Sequence, residues 1–239
     1  MADTKKPKKR RRRSWILRLL ITILALSALA TLIVVLTWPD VAALSNTNPE
    51  TTAFVERARS RGIEVEWRWV PSEAISIDLK KAVLVAEDYS FFSHTGFDRH
   101  EIRIAAREAV QGKRVRGAST ITQQLAKNLW LTPSRSPTRK LREIVLTRQL
   151  ERNLSKVRIL ELYLNVVEFG PGVYGAEAAA RRYFSIPAAD LNREQAARLA
   201  ASLPRPSSWH PGVESRGYEG SVMRILTLME QSDWLERLL

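Results

Sequence analysis

The hydrophobic and polar positions divide the chain into three regimes. From Leu19 to Trp38 twenty consecutive residues carry no charge. At about 1.5 Å rise per residue such a run spans about 30 Å, the thickness of a bilayer core. A transmembrane helix over 16–38 is therefore expected, with Trp15 and Trp38 at its two interfaces. Ala28-Leu29-Ala30 resembles a leader cleavage site, but the apolar run continues past it, longer than a leader core of about 7–15 residues. Residues 39–60 read as a linker and juxtamembrane segment. Then "GIEVEWRWVP" (62–71) alternates, Ile63, Val65, Trp67 and Trp69 against Glu64, Glu66 and Arg68, which predicts a half-buried strand stopped by Pro71.

Beyond it the period changes. Leu79, Ala82, Val83 and Ala86 recur at helical spacing, and further helices are expected at 98–111, 119–130, 138–152, 156–168, 173–183, 193–203 and 219–237. Breaks fall at Gly112, Gly117, "TPSRSP" (132–137), "GPG" (170–172), Pro187 and "PRPSSWHPG" (204–212). The expected architecture is a basic tail (1–15), the span (16–38), the linker (39–60) and one mainly α domain (61–239). "GPGVYG" (170–175) matches a dinucleotide-binding spacing, yet the stretch before it has helical period and there is no run of βα units. Its glycines are read instead as ending one helix and turning into the next.

Charge sharpens this division. The formal net charge is +13, but residues 1–13 hold eight basic side chains and one acid, so +7 belongs to them and +6 to the other 226 residues. Basic residues ahead of an apolar span predict a cytoplasmic N-terminus and contact with anionic lipid; nucleic acid is not an expected partner. Apolar residues at 45% mark a folded chain, and with no cysteine, disulfides and thiolate metal sites are excluded.

Three strings carry candidate chemistry. In "AEDYSFFSHTGFD" (86–98), Glu87 sits at the edge of an apolar helix face near its end, where partial desolvation raises a carboxyl toward the range of a base; a plain helix-end ion pair is the alternative. "GASTITQQLAKNLW" (117–130) crowds Ser119, Thr120, Gln123, Gln124 and Lys127 around a helical start, with Ile121, Leu125 and Leu129 behind. Ser119 or Thr120 is a good N-cap, and the first N–H groups are expected to point outward toward an anion; an ordinary solvated face is the alternative. In "RSPTRKLREIVLTRQLE" (135–151), Glu143 follows Arg139 by four and Lys140 by three, a salt bridge within one helix. It is also a carboxylate framed by Arg135, Arg139, Lys140 and Arg142, a ring able to hold a pyrophosphate. The chain has no G-x-S-x-G, no P-loop, no H-E-x-x-H and no Ser-x-x-Lys.

Taken in order, "EDYSFFSHTG", "GASTITQQLAKNLWL", "RKLREIVLTRQLE" and "ILELYLNVVEFGPGVYGAEAAARRYF" resemble the four blocks of the family 51 peptidoglycan glycosyltransferases over about residues 65–205. The resemblance implies a lysozyme-like α-helical fold with a small membrane-facing lobe. It further implies polymerisation of lipid II: the 4-hydroxyl of one lipid II attacks C1 of a glycan held as undecaprenyl pyrophosphate, giving a β-1,4 bond with inversion. Without a Ser-x-x-Lys nucleophile or second domain, the likeness is to monofunctional members, and transpeptidation is not expected. By position, Glu87 matches the general base and Glu143 a second essential carboxylate. Lys127 and Arg135 match positions that hold the pyrophosphates; Arg139 and Lys140, from the same cationic ring, are counted with them as substrate-binding. Ser119, Thr120, Gln123 and Gln124 match the polar rim, and Asn165 the asparagine of the fourth block. Ala118 departs from a pattern that usually has glycine there.

The resemblance also implies, as partners, lipid II, the growing glycan chain, membrane lipids and division or cell-wall synthesis proteins. No cofactor is required by the sequence; the resemblance implies a response to a divalent cation (Mg or Mn) carried with the pyrophosphate, and no dedicated protein cage for one is visible. The catalytic domain is expected outside the cytoplasmic (inner) membrane. A membrane-anchored muramidase or lytic transglycosylase is the competing enzyme, and a non-catalytic glycan scaffold the competing binding protein.

Overall fold

The computed structural model describes residues 8–112, 119–134 and 136–239, with side chains from residue 15 onward. The tail before residue 8, Gly117, Ala118 and Arg135 lie outside the described residues. The chain divides into two units, Met1–Asp40 and Val41–Leu239. The first contains helix α1 (Lys8–Leu36), whose stretch Trp15–Leu36 is long and apolar enough to cross a membrane.

In the second unit, the segment read as linker is ordered. Val41 and Leu44 are buried around a 3-10 turn (Ala42–Ser45). Helix α2 (Ala53–Ser60) is capped by the Thr52 side chain and buries Val55 and Ala58. Alternation gave no sign of it, because only one narrow stripe of so short a helix is apolar. The expected strand contracts to β1 (Glu66–Trp67). Its partner β3 (Val173–Tyr174) is only two residues long, so pairing cannot extend further. β3 lies between β1 (parallel) and β2 (Glu168–Gly170, antiparallel).

The remaining helices are α3 (Ile77–Glu87), α4 (Arg99–Val110), α5 (Ile121–Trp130), α6 (Pro137–Asn153), α7 (Lys156–Val166), α8 (Ala176–Phe184), α9 (Arg193–Ser202) and α10 (Arg216–Glu230). Polar caps start most of them: Ser76, Asp98, Thr120, Ser136 ahead of Pro137, Ser155, Asn192 and Ser215. Two bodies of packing follow. α9 packs on α3 and α10, its Ala196, Ala197, Ala200 and Ala201 small enough for close approach. α5 packs on α6, α7 and α2.

Two expected helices are trimmed at the glycine-rich stretch. α7 ends at Val166 and α8 begins at Ala176, because 168–170 and 173–174 form a hairpin. The glycines of "GPGVYG" serve that hairpin: Gly172 has φ +75° with the Glu64 carbonyl against its α-carbon, and Gly175 has φ +83° against the Asn165 carbonyl. The last expected helix is broken after Glu230; Ser232 bonds the Leu228 carbonyl, and a 3-10 turn (Asp233–Leu238) follows. That turn brings Asp233 and Glu236 to the fully buried Lys81 of α3, at 2.6 and 2.8 Å.

Candidate active site

α3 delivers Glu87. Its inner face (Leu79, Ala82, Val83) is fully buried, and its final residue, Glu87, emerges half-buried in the wall of a cavity of about 790 Å³. Tyr89, Phe97, Ser119 and Thr120 are among the other walls. Burial pushes the Glu87 carboxyl up from the ordinary glutamate range, and Asp88 adds to this. The Gln124 amide and the charges of Lys127 and Arg224 pull the other way. Gln124 Nε2 donates to Glu87 Oε2 at 2.6 Å, and Tyr163 Oη donates to Gln124 Oε1 at 2.9 Å.

The start of α5 differs from expectation. Thr120 and Gln123 form a reciprocal capping box, so Gln123 is spent on the backbone of its own helix. Asp88 Oδ2 accepts from the Ile121 N–H at 3.0 Å. An internal carboxylate therefore takes the place foreseen for an external anion, with the dipole preference satisfied from within the chain. Asp88 Oδ1 lies 2.8 Å from His94 Nε2. Because His94 Nδ1 accepts from the Gly96 N–H, the ring proton sits on Nε2 and is donated to Asp88. Thr120 Oγ1 closes the loop by donating to the Gly96 carbonyl at 2.7 Å. Ser119 is exposed at the cavity.

One turn beyond Gln124, Lys127 is half-buried, with its ammonium 5.6 Å above the Phe54 ring of α2. Burial lowers its pKa; Glu143 and Glu87 oppose that, while Arg139 and Lys140 reinforce it. Those charges identify its neighbourhood: the cationic cluster is centred on Glu143, whose buried carboxylate is gripped by Arg139 Nη1 and Lys140 Nζ. Arg139 Nε is buried and has no hydrogen-bond partner among the described residues. Arg142, in the same turn, is exposed. No group of three or more potential metal ligands occurs among the described residues, and the Glu143 carboxylate is already engaged by two cations.

Asn165 is not brought to this cleft. Fully buried, it donates to the Val70 and Glu161 carbonyls and accepts from the Val70 N–H, while its carbonyl accepts from the Trp67 indole. Its amide brackets the segment after β1, with both N–H donors spent on the Val70 and Glu161 carbonyls. Sequence reasoning missed Phe54, Asp88, Tyr163 and Arg224. Tyr163 looks like one more apolar position of a helical stripe, and Asp88 like a neighbour of a more interesting acid.

These features define a class: a mainly α domain following an apolar N-terminal helix, with a half-buried carboxyl bonded to Gln124 of α5 and a carboxylate-centred cation cluster near Lys127 of the same helix. Comparison with known proteins supplies the family. The transglycosylase family model matches residues 24–230, and the chain belongs to that family. Proteins named biosynthetic peptidoglycan transglycosylase are similar to it along most of their length. That of Thiobacillus denitrificans is 48% identical over 189 residues, covering 76% of this chain and 82% of the relative. That of Alcanivorax borkumensis is 50% identical over 191 residues, covering 80% and 78%. That of Bordetella avium is 40% identical over 234 residues, covering 93% and 98%. The chain is accordingly a glycosyltransferase of peptidoglycan synthesis.

Proposed function

We propose that the chain polymerises lipid II into β-1,4-linked glycan, with Glu87 as the base and the Lys127–Arg139–Lys140 cluster as the stabiliser of the departing pyrophosphate. The supporting observation is the placing of Gln124, bonded to Glu87, and Lys127 one turn apart on α5, with Lys127 in the field of both Glu87 and Glu143. In this reading Glu87 accepts the proton of the acceptor 4-hydroxyl while that oxygen bonds to C1 of the donor. The C1–O bond to pyrophosphate breaks, its electron pair leaves with undecaprenyl pyrophosphate, and configuration at C1 inverts. The raised basicity of a partly desolvated Glu87 suits the first task. Fixed cations suit the second, since negative charge develops on the leaving group. The unused Arg139 Nε–H is a further donor for that group, and Arg135, outside the described residues, is assigned there by resemblance alone. Glu143 is the counter-charge that holds Arg139 and Lys140 in place. Ser119 and Thr120 contribute to the acceptor side as cavity walls.

No step uses a divalent cation. The sequence supplies no Ser-x-x-Lys nucleophile, so peptide cross-linking is no part of this proposal. The apolar helix would place the enzyme in the bilayer that carries both substrates, with the basic tail on the cytoplasmic side. The test is incubation of the purified chain with labelled lipid II. A lysozyme-sensitive polymer is expected, lost in Glu87→Gln and in Lys127→Ala. Cleavage of preformed glycan without polymer from lipid II would establish the cutting enzyme instead.

A further inference from the structure

We propose that Tyr163 is a positioning residue: through the Gln124 amide it fixes which end of that amide faces Glu87, and so holds Glu87 in its proton-accepting form. The argument starts from polarity. A primary amide presents an acceptor at one end and donors at the other. In the observed chain the Tyr163 hydroxyl donates to Gln124 Oε1, which leaves Nε2 to donate to Glu87 Oε2. That direction requires an ionised carboxylate, because Oε2 must accept. The reversed direction requires a protonated Glu87 donating to the amide oxygen, with the amide nitrogen donating to the phenol oxygen. The phenol proton would then need another acceptor. Tyr163 is fully buried, and among the described residues its hydroxyl has no partner but Gln124. The reversed chain therefore strands a buried donor, which the forward chain does not.

Tyr163 is suited to this task. Burial, with the negative charges of Glu87 and Asp88 close by, drives its pKa well above the ordinary phenol value. It stays a neutral donor throughout the pH range in which Glu87 titrates. The other groups facing Glu87 are Lys127 on α5 and Arg224 on α10, which favour the anion, and Asp88 beside it, which opposes the anion. These act through charge alone. Among the described residues only the Tyr163–Gln124 chain acts through direction, and it reaches Glu87 from a third helix, α7. Phenylalanine at 163 would keep the ring in its packed site and delete only the oxygen, so the amide could face Glu87 either way.

The inference rests on the reading of Glu87 as the base, and the experiment separates the two. The pH–rate profile of lipid II polymerisation is measured for the unaltered chain, for Tyr163→Phe, and for a chain with 3-fluorotyrosine at position 163 by nonsense suppression. Loss of the donor is expected to move the acid limb upward by about one pH unit. At a pH on that limb, turnover falls about tenfold. The fluorinated phenol is a stronger donor and is expected to move the limb the opposite way. A residue that served packing alone would not produce opposite shifts. In parallel, the Glu87 carboxyl is titrated by carbon NMR in glutamate-labelled chain, with Glu87→Gln identifying its resonance. Acid limb and carboxyl titration both unmoved by the two changes would overturn the inference. Glu87→Gln with full turnover would overturn the base assignment instead, and the carboxyl titration would still decide whether Tyr163 biases that group. Should Tyr163→Phe fail to fold, the fluorinated chain and its titration carry the same decision.

Discussion

Replacing Glu143 by Gln removes, among the described residues, the negative charge gripped by Arg139 and Lys140 while keeping the size of the side chain. The Glu143 side chain is 5% exposed, that of Arg139 17% and that of Lys140 45%. Breaking a buried pair costs about 3–5 kcal/mol, and breaking an exposed one less than about 1. The Arg139 arm lies toward the buried limit; its Nε has no partner among the described residues, and the guanidinium would lose its main counter-charge as well. The Lys140 arm lies toward the exposed limit. Together they give a loss of about 3 kcal/mol, with the helix intact because Thr147 still bonds the Glu143 carbonyl. The assay is urea denaturation of the purified chain followed by tryptophan fluorescence, with Lys140→Met as a control expected to cost less than about 1 kcal/mol. A second readout concerns Lys127. Glu143 is the strongest group opposing the burial that lowers the pKa of this lysine. Without it the lysine deprotonates at lower pH, and the alkaline limb of the polymerisation profile should move down. Glu143→Gln with unchanged stability and an unmoved alkaline limb would refute the idea that this carboxylate organises the cations.

Two further outcomes follow from the same geometry. The folded-state pKa of Glu87 lies above its ordinary value, so the native chain holds its proton more tightly than the unfolded chain, and stability falls as pH rises through the interval between the two. Glu87→Gln should therefore abolish polymerisation yet raise the melting temperature at neutral pH, with the gain vanishing below the ordinary glutamate range; calorimetry at two pH values checks it, and a lowered melting point at both would contradict it. Gly175→Ala would set a β-carbon 2.6 Å from the Asn165 carbonyl at φ +83°; a cost of about 3 kcal/mol is expected in denaturant titration, with activity falling in step with the folded fraction and not with any change at Glu87.

What the sequence discloses about this site follows the reach of helix geometry. Arg139, Lys140 and Glu143 lie within four positions of one another on α6, so spacing alone foretells their contact. The caps are legible for the same reason, as is the apolar span. Contacts between elements are a different matter. Asp88 meets Ile121 across 33 positions, Gln124 meets Tyr163 across 39, and Asn165 meets Val70 across 95. None has a periodic signature, because each depends on how two helices, or a helix and a loop, dock. The start of α5 illustrates the cost. Its free N–H groups are correctly inferred from Thr120 as a cap, but the carboxylate that occupies the first of them comes from the end of α3. Asn165 illustrates the converse: a polar residue in a matching block suggests a ligand contact, yet its partners are the backbone of the chain itself.

Helix α5 accounts for how so few residues can set the whole arrangement. Thr120 ties its start to Gly96, the Ile121 N–H takes Asp88, Gln124 takes Glu87, and Lys127 rests over Phe54 in the field of Glu143. A ten-residue helix is a rigid ruler. Gln124 and Lys127 are three positions apart, so they share a face and differ by about 4.5 Å along the axis. Under the proposed chemistry, one residue addresses the base at the attacking oxygen and the other the charge on the leaving oxygen. In an in-line displacement those two oxygens flank one carbon, so their required separation is itself a few ångströms and nearly invariant. A helix fixes such an interval by its backbone hydrogen bonds, whereas two loops would have to be held separately. The buried anchors at the start of α5 then serve the chemistry by fixing that helix: a shift of it would displace the partner of Glu87 and Lys127 together.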